Sequence, residues 1–180
     1  MRNLFIVPLE KIETRYTKHW FDFLPKQIAA NTKFNVSQIT LDEGDDAPAN
    51  NKDSFLNFTF TAKYKSKQFL KIAGLFDEGK VKDNDVFFYT DYWNPSVFFL
   101  RYIAALNGVS IKIVGIAHAG LWDPADLLSQ KFGKEKWGYN VEDSFIECYN
   151  EIYFATEFGR NLHNRTYGLN KECKITGFPM

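Results

Sequence analysis

An α/β fold, doubly wound around a mostly parallel sheet of about six strands with helices on both faces, is predicted from two features of the sequence. Short apolar runs rich in β-branched and aromatic residues alternate with amphipathic stretches of helical spacing from end to end. The clearest run, Ser110 to Ala117, is broken only by Lys112 and stops at His118-Ala119-Gly120. Such a run reads as a buried strand, and small residues just past its end let a backbone or a ligand come close. Short strands separated by helices form βαβ units, and right-handed crossovers place the helices on both faces.

The elements follow in order. Leu4 to Leu9 reads as the first buried strand. Arg15 to Asn31 reads as a helix with Trp20, Phe21, Phe23, Leu24, Ile28 and Ala29 on its apolar face and Thr14 as its N-cap, and Pro25 is expected to kink or split it. Phe34 to Leu41 alternates as a second strand. The acidic, Asn-rich segment Asp42 to Asp53 reads as a surface loop. Phe60 to Phe76 has helical spacing, with Gly79 to close it, and its lysines 63, 65, 67 and 71 read as a solvated face or as a basic surface for phosphates. Asp85 to Asp91 is the third strand. Asn94-Pro95-Ser96 opens a helix that ends at Asn107-Gly108. Ser110 to Ala117 is the fourth strand, and Asp123 reads as the cap of a helix begun by Pro124. Glu142 to Tyr149 is helical, Glu151 to Thr156 is a strand, Phe158 to Tyr167 is helical, and Lys174 to Phe178 is a last short strand. The whole chain forms one Rossmann-like unit.

Composition bounds the function. Apolar residues make up 45% and aromatic residues 17% of 180 residues, which provides a sizeable core and argues against global disorder. The formal net charge is zero, so nothing compels a polyanionic partner, although a local basic face is compatible with it. Cys148 and Cys173 lack metal-type spacing. Reduced thiols in a cytoplasmic protein are the expected reading, and a single disulfide stays open. The opening MRNLFIVPLEK is too short in its apolar run for a signal peptide. No run approaches the roughly 20 residues of a membrane span.

In open α/β sheets, ligands bind outside the carboxyl ends of the strands, and the candidate residues gather there. The first loop has neither a GxGxxG nor a GxxxxGK[ST] pattern, which argues against dinucleotide and P-loop chemistry. It carries Glu10, Glu13, Arg15 and Tyr16 instead, polar groups for a hydroxyl-rich or charged molecule. Asp91, Trp93 and Asn94 end the third strand. Carboxylates accept hydrogen bonds from hydroxyls and aromatic rings cover sugar or base faces, whereas the structural alternative is a helix cap and a covered core edge. His118, whose imidazole can accept a proton or donate a hydrogen bond, is the foremost catalytic candidate, together with Asp91. Glu157 follows the fifth strand as a ligand contact or as a charge favouring the next helix start. No metal-binding pattern is found.

These parts resemble the N-terminal half of GT-B glycosyltransferases. The resemblance rests on Asp85 to Trp93, on the strand ending His118-Ala-Gly, on the strand ending Ala155-Thr156-Glu157-Phe158, and on Lys174-Ile-Thr-Gly-Phe-Pro179. It implies the acceptor-binding half of an enzyme that moves a sugar from a nucleotide-sugar donor to a glycan, a small molecule or a modified base in nucleic acid. It implies His118 and Asp91 as catalytic residues and Glu10, Glu13, Arg15, Trp93, Asn94, Gly120 and Glu157 as substrate contacts, with no further cofactor. The family's donor-binding half is not among these residues. The expected partner is therefore a second Rossmann-like donor domain, in cis or in trans, and these residues alone are expected to be inactive. A non-enzymatic module binding a nucleotide, a sugar or a partner protein stays open, as does a small hydrolase or epimerase acting through His118 and Asp91.

Overall fold

The computed structural model describes residues 1–12, 15–41, 57–168 and 172–177. The Glu13 contact, the Thr14 cap, the Asp42–Asp53 loop and the end of the last predicted strand at Phe178 lie outside them. Six strands form a single sheet: β1 (Asn3–Val7), β2 (Asn35–Gln38), β3 (Val86–Tyr89), β4 (Lys112–Ala117), β5 (Glu151–Phe154) and β6 (Glu172–Ile175). Their order is β2-β1-β3-β4-β5-β6, and every neighbouring pair is parallel. The predicted doubly wound α/β fold is the observed one. Chain direction across the sheet reverses between β1 and β3, which makes that edge the topological switch point where such sheets bind ligands.

The two faces are covered unequally, for a reason of handedness. Only the step from β1 to β2 runs one way across the sheet, so only its helix, α1 (Tyr16–Asn31), falls on one face. There Trp20 and Leu24 pack on Ile116, and Ile28 packs beside Leu4, Ile6, Val86 and Val114. All later steps run the other way. The opposite face carries α2 (Phe58–Asp77), α3 (Ser96–Leu106), α5 (Lys136–Cys148) and α6 (Glu157–Tyr167), and the larger core lies beneath them. That core joins Phe5, Val7, Phe87, Tyr89, Ile113 and Ile152 of the strands to Ile72, Val97, Leu100, Phe145 and Ile146 of the helices.

Several sequence expectations need correction. Pro25 lies inside α1 without splitting it; the packing of Trp20 and Leu24 before it and of Ile28 after it outweighs the loss of one hydrogen bond. Asp123 caps no helix. Its Oδ1 accepts from Ala125 N at 2.9 Å in a turn, and the helix that follows, α4 (Leu127–Phe132), is capped by Asp126 through Leu128 N at 2.8 Å. Helix α5 begins at Lys136 rather than Glu142. Helix α2 is capped by Asn57, whose side chain accepts from Phe60 N at 3.0 Å. Both cysteines are free thiols. Among the described residues, no helix is long and apolar enough to cross a membrane.

Candidate functional site at the carboxyl edge of the sheet

Thr90, the residue after β3, ties three strand ends together. Its N–H donates to Val7 O at 3.1 Å, its Oγ1 accepts from Leu9 N at 2.8 Å, and its carbonyl accepts from His118 Nε2 at 2.7 Å. The residues next to these contacts, Glu10, Asp91 and His118, are therefore held around one point at the edge of β1, β3 and β4. A carbonyl only accepts, so Nε2 of His118 carries a proton, and Nδ1 is the basic nitrogen of the neutral ring. The imidazole is held from the α1 side by Trp20 at 4.8 Å and Tyr16 at 5.6 Å between ring centroids.

Asp91 is half-buried and has assigned partners. Its Oδ1 accepts from Trp93 N at 3.3 Å, and its Oδ2 lies 3.8 Å from Lys65 Nζ. Lys65 also donates to Trp93 O at 2.6 Å, and its side chain is only 13% exposed. The solvated-face reading of the α2 lysines therefore fails at Lys65. Burial raises the pKa of the Tyr16 phenol, the charge of Asp91 adds to that, and Arg15 opposes it. Asp126 is likewise raised, first by burial and further by Asp123 and Asp91. Acids, a lysine and an arginine thus share one electrostatic neighbourhood, with Tyr16 packed against the His118 ring beside it. Glu10 is 7% exposed, and its Oε1 has no hydrogen-bond partner among the described residues. A buried carboxylate oxygen in that state is completed by a donor, and a ligand hydroxyl is one.

The space on the α2 side of the switch point is filled. Gln68, fully buried, donates to Pro8 O at 2.7 Å, and Tyr64 approaches Pro8 O and Leu9 O at 3.5 and 3.4 Å. A shallow groove of about 550 Å³ runs along α1, lined by Arg15, Lys18, His19, Asp22, Phe23 and Lys26. Arg15 is the residue common to the groove and the strand-end cluster.

The structure places Glu10, Asp91 and His118 beside the Thr90 contacts and connects Arg15 to them through Tyr16, but gives the other candidates different surroundings. Trp93 packs edge-on against Phe132 and Phe145, with its indole N–H buried and unpartnered among the described residues. Asn94 is buried, accepting from Ser96 N at 3.0 Å at the start of α3. Glu157 stands in the first turn of α6 and pairs with Arg160 at 3.1 Å. Gly120 faces a second, inner network. A methyl group there would overlap Glu142 Oε1 and stand 2.7 Å from Tyr92 Oη and 2.8 Å from Trp122 Nε1.

That inner network centres on Glu142, which is fully buried without a cation among its hydrogen-bond partners. It accepts from Tyr92 Oη, from Leu121 N at 2.8 Å and from Tyr167 Oη at 2.6 Å. Trp122 Nε1 donates to Tyr92 Oη at 2.7 Å. Burial pushes the Glu142 carboxyl up, and the hydrogen bonds it accepts work against that. His163, 1% exposed among Trp122, Phe154, Tyr92 and Tyr167, is lowered by burial to about 4. This network anchors the loop after β4 from behind, and so fixes where His118 stands.

Fold and site together define an α/β protein with an acid–base cluster at the carboxyl edge of a doubly wound parallel sheet. No protein-family model and no curated protein matches the sequence. Among the described residues, no group of three or more His, Cys, Asp or Glu is placed to hold a metal ion.

Proposed function

We propose that this chain is the acceptor-binding half of a cytoplasmic glycosyltransferase. In this reading the acceptor hydroxyl, on a glycan, a small molecule or a modified nucleic-acid base, lies against Glu10, Asp91 and His118. The nucleotide-sugar donor is held by a second Rossmann-like domain in cis or in trans. The acceptor oxygen bonds to the anomeric carbon, the bond from that carbon to the donor's diphosphate oxygen breaks, and the acceptor proton leaves to a base. His118 Nδ1 is the suited base, because Thr90 fixes the ring through Nε2. Arg15 adds positive potential near the departing diphosphate. The observation that carries the reading is the Thr90 hub, which brings two carboxylates and an oriented imidazole to the switch point.

The test is ligand binding followed by amide chemical shifts on the full chain, with oligosaccharides and hydroxylated nucleosides as probes and UDP as the control. Shifts centred on Glu10, Asp91 and His118 that vanish in His118→Ala are expected for hydroxyl probes. Localised binding of UDP with none of the hydroxyl probes overturns the acceptor reading. That outcome favours a non-enzymatic nucleotide-binding module. With a donor half supplied, Asp91→Asn and His118→Ala are both expected to slow transfer at least tenfold.

A further inference from the structure

Helix α3 presents an outward face without a charge. Val97, Leu100 and Ala104 are buried. The helix's single charged residue, Arg101, folds inward to donate to Cys148 O at 2.7 Å and Ile111 O at 3.3 Å. What remains for solvent is Phe98, Phe99, Tyr102 and Leu106, exposed by 51, 47, 58 and 69%. The Phe99 ring lies 5.0 Å from that of Phe69 on α2, and the neighbouring Leu70 is 68% exposed, so the patch continues from one helix to the next. A helix that is apolar all round is normally buried all round. Large side chains of roughly 150–250 Å² each, exposed to this degree, leave on the order of 500 Å² of apolar surface. That is the upper range for a lone monomer and fits the apolar centre of an interface of about 800 Å² per partner.

We propose that a second copy of this chain docks here, α3 of one copy against α3 of the other across a two-fold axis. Such a contact sets a patch against itself, so any charge within it would meet its own like. Phe98, Phe99, Tyr102 and Leu106 contain none, whereas α2 brings Lys67 and Lys71 beside Leu70, so the contact centres on α3 against α3. Phe98, Tyr102 and Leu106 recur at the four-residue spacing that forms one ridge along a helix, which lets two α3 helices interlock. The proposal does not depend on the sugar-transfer reading.

Sedimentation velocity of the full chain at micromolar concentration tests it. The expected mass is twice the chain's 20.9 kDa, and Phe98→Asp combined with Tyr102→Asp is expected to return it to 20.9 kDa with unchanged far-UV circular dichroism. A wild-type chain that remains monomeric up to its solubility limit overturns the proposal and leaves the patch to a different protein. A dimer that persists in the double variant overturns it as well. Should the double variant lose its fold, Leu106→Lys replaces it: a dimer weakened at least tenfold at an unchanged melting temperature supports the proposal, and an unweakened dimer refutes it.

Discussion

Replacing Gly120 by alanine puts a methyl group where Glu142 Oε1 already is, with Tyr92 Oη at 2.7 Å and Trp122 Nε1 at 2.8 Å. Glu142 is the end of a flexible side chain, but three donors pin it: Tyr92 Oη, Leu121 N and Tyr167 Oη. Relief therefore requires one of those bonds to break. A hydrogen bond to a charged group contributes about 1.5–3 kcal/mol, and overpacking a filled site costs about 1–3 kcal/mol. A loss of roughly 3 kcal/mol follows, against the 5–15 kcal/mol that keeps a typical domain folded. For a chain of this size each kcal/mol moves the melting temperature by about 2–4 °C, so a drop of about 6–12 °C is expected. Differential scanning calorimetry at neutral pH reads it directly. Gly74→Ala is the control of opposite sign: it lies inside α2 with nothing within 4 Å of the added methyl. It is expected to stabilise by about 0.5–1 kcal/mol. A Gly120→Ala protein that melts within about 2 °C of wild type would refute the claim that Glu142 braces the loop after β4.

Two further outcomes are expected. His163 has a folded-state pKa of about 4 against an ordinary 6.5. A base lowered by folding contributes stability that is complete above the unfolded value and is lost as pH falls, so stability should decline between pH 6.5 and 4 by up to about 3 kcal/mol. Urea midpoints across that window check it, and His163→Phe should flatten the decline; an equal slope in both proteins would show that other groups govern it. Lys65→Met removes the donor to Trp93 O and the cation beside Asp91, and a loss of about 1–3 kcal/mol in chemical denaturation is expected, whereas a truly solvated lysine would change nothing measurable.

The strands were legible because a parallel strand is buried on both sides and so spells a nearly unbroken apolar run, as at Leu4–Val7 and Ile113–Ala117. Their order followed only in outline, since no local pattern states which way each crossover runs. Helix α4 was legible as a helix begun near Pro124, but not its start at Leu127 or its cap at Asp126, because it has six residues and buries none of them, leaving no periodicity to place its ends. The site was legible where it follows strand ends, at Asp91 and His118, but its bracing was not. Tyr92 and Glu142 are 50 residues apart, and no spacing rule joins them. A signal existed nonetheless: Phe145, Ile146 and Tyr149 are core residues three, four and seven positions after Glu142, which puts that carboxylate on the apolar stripe. Lys65 gives the same lesson, three and seven positions before the buried Gln68 and Ile72.

The lone helix on its face of the sheet has a consequence for how the candidate base behaves over time. The aromatic pair gripping the imidazole, Tyr16 and Trp20, belongs to the first two turns of α1, the one helix on that face among the described residues. Partial fraying of that single segment strips the aromatic contacts from the ring while its bond to Thr90 O and the opposite layer stay intact. Amide exchange near residue 20 should therefore report how often the His118 ring loses its α1-side contacts, well below the threshold at which the molecule as a whole comes apart.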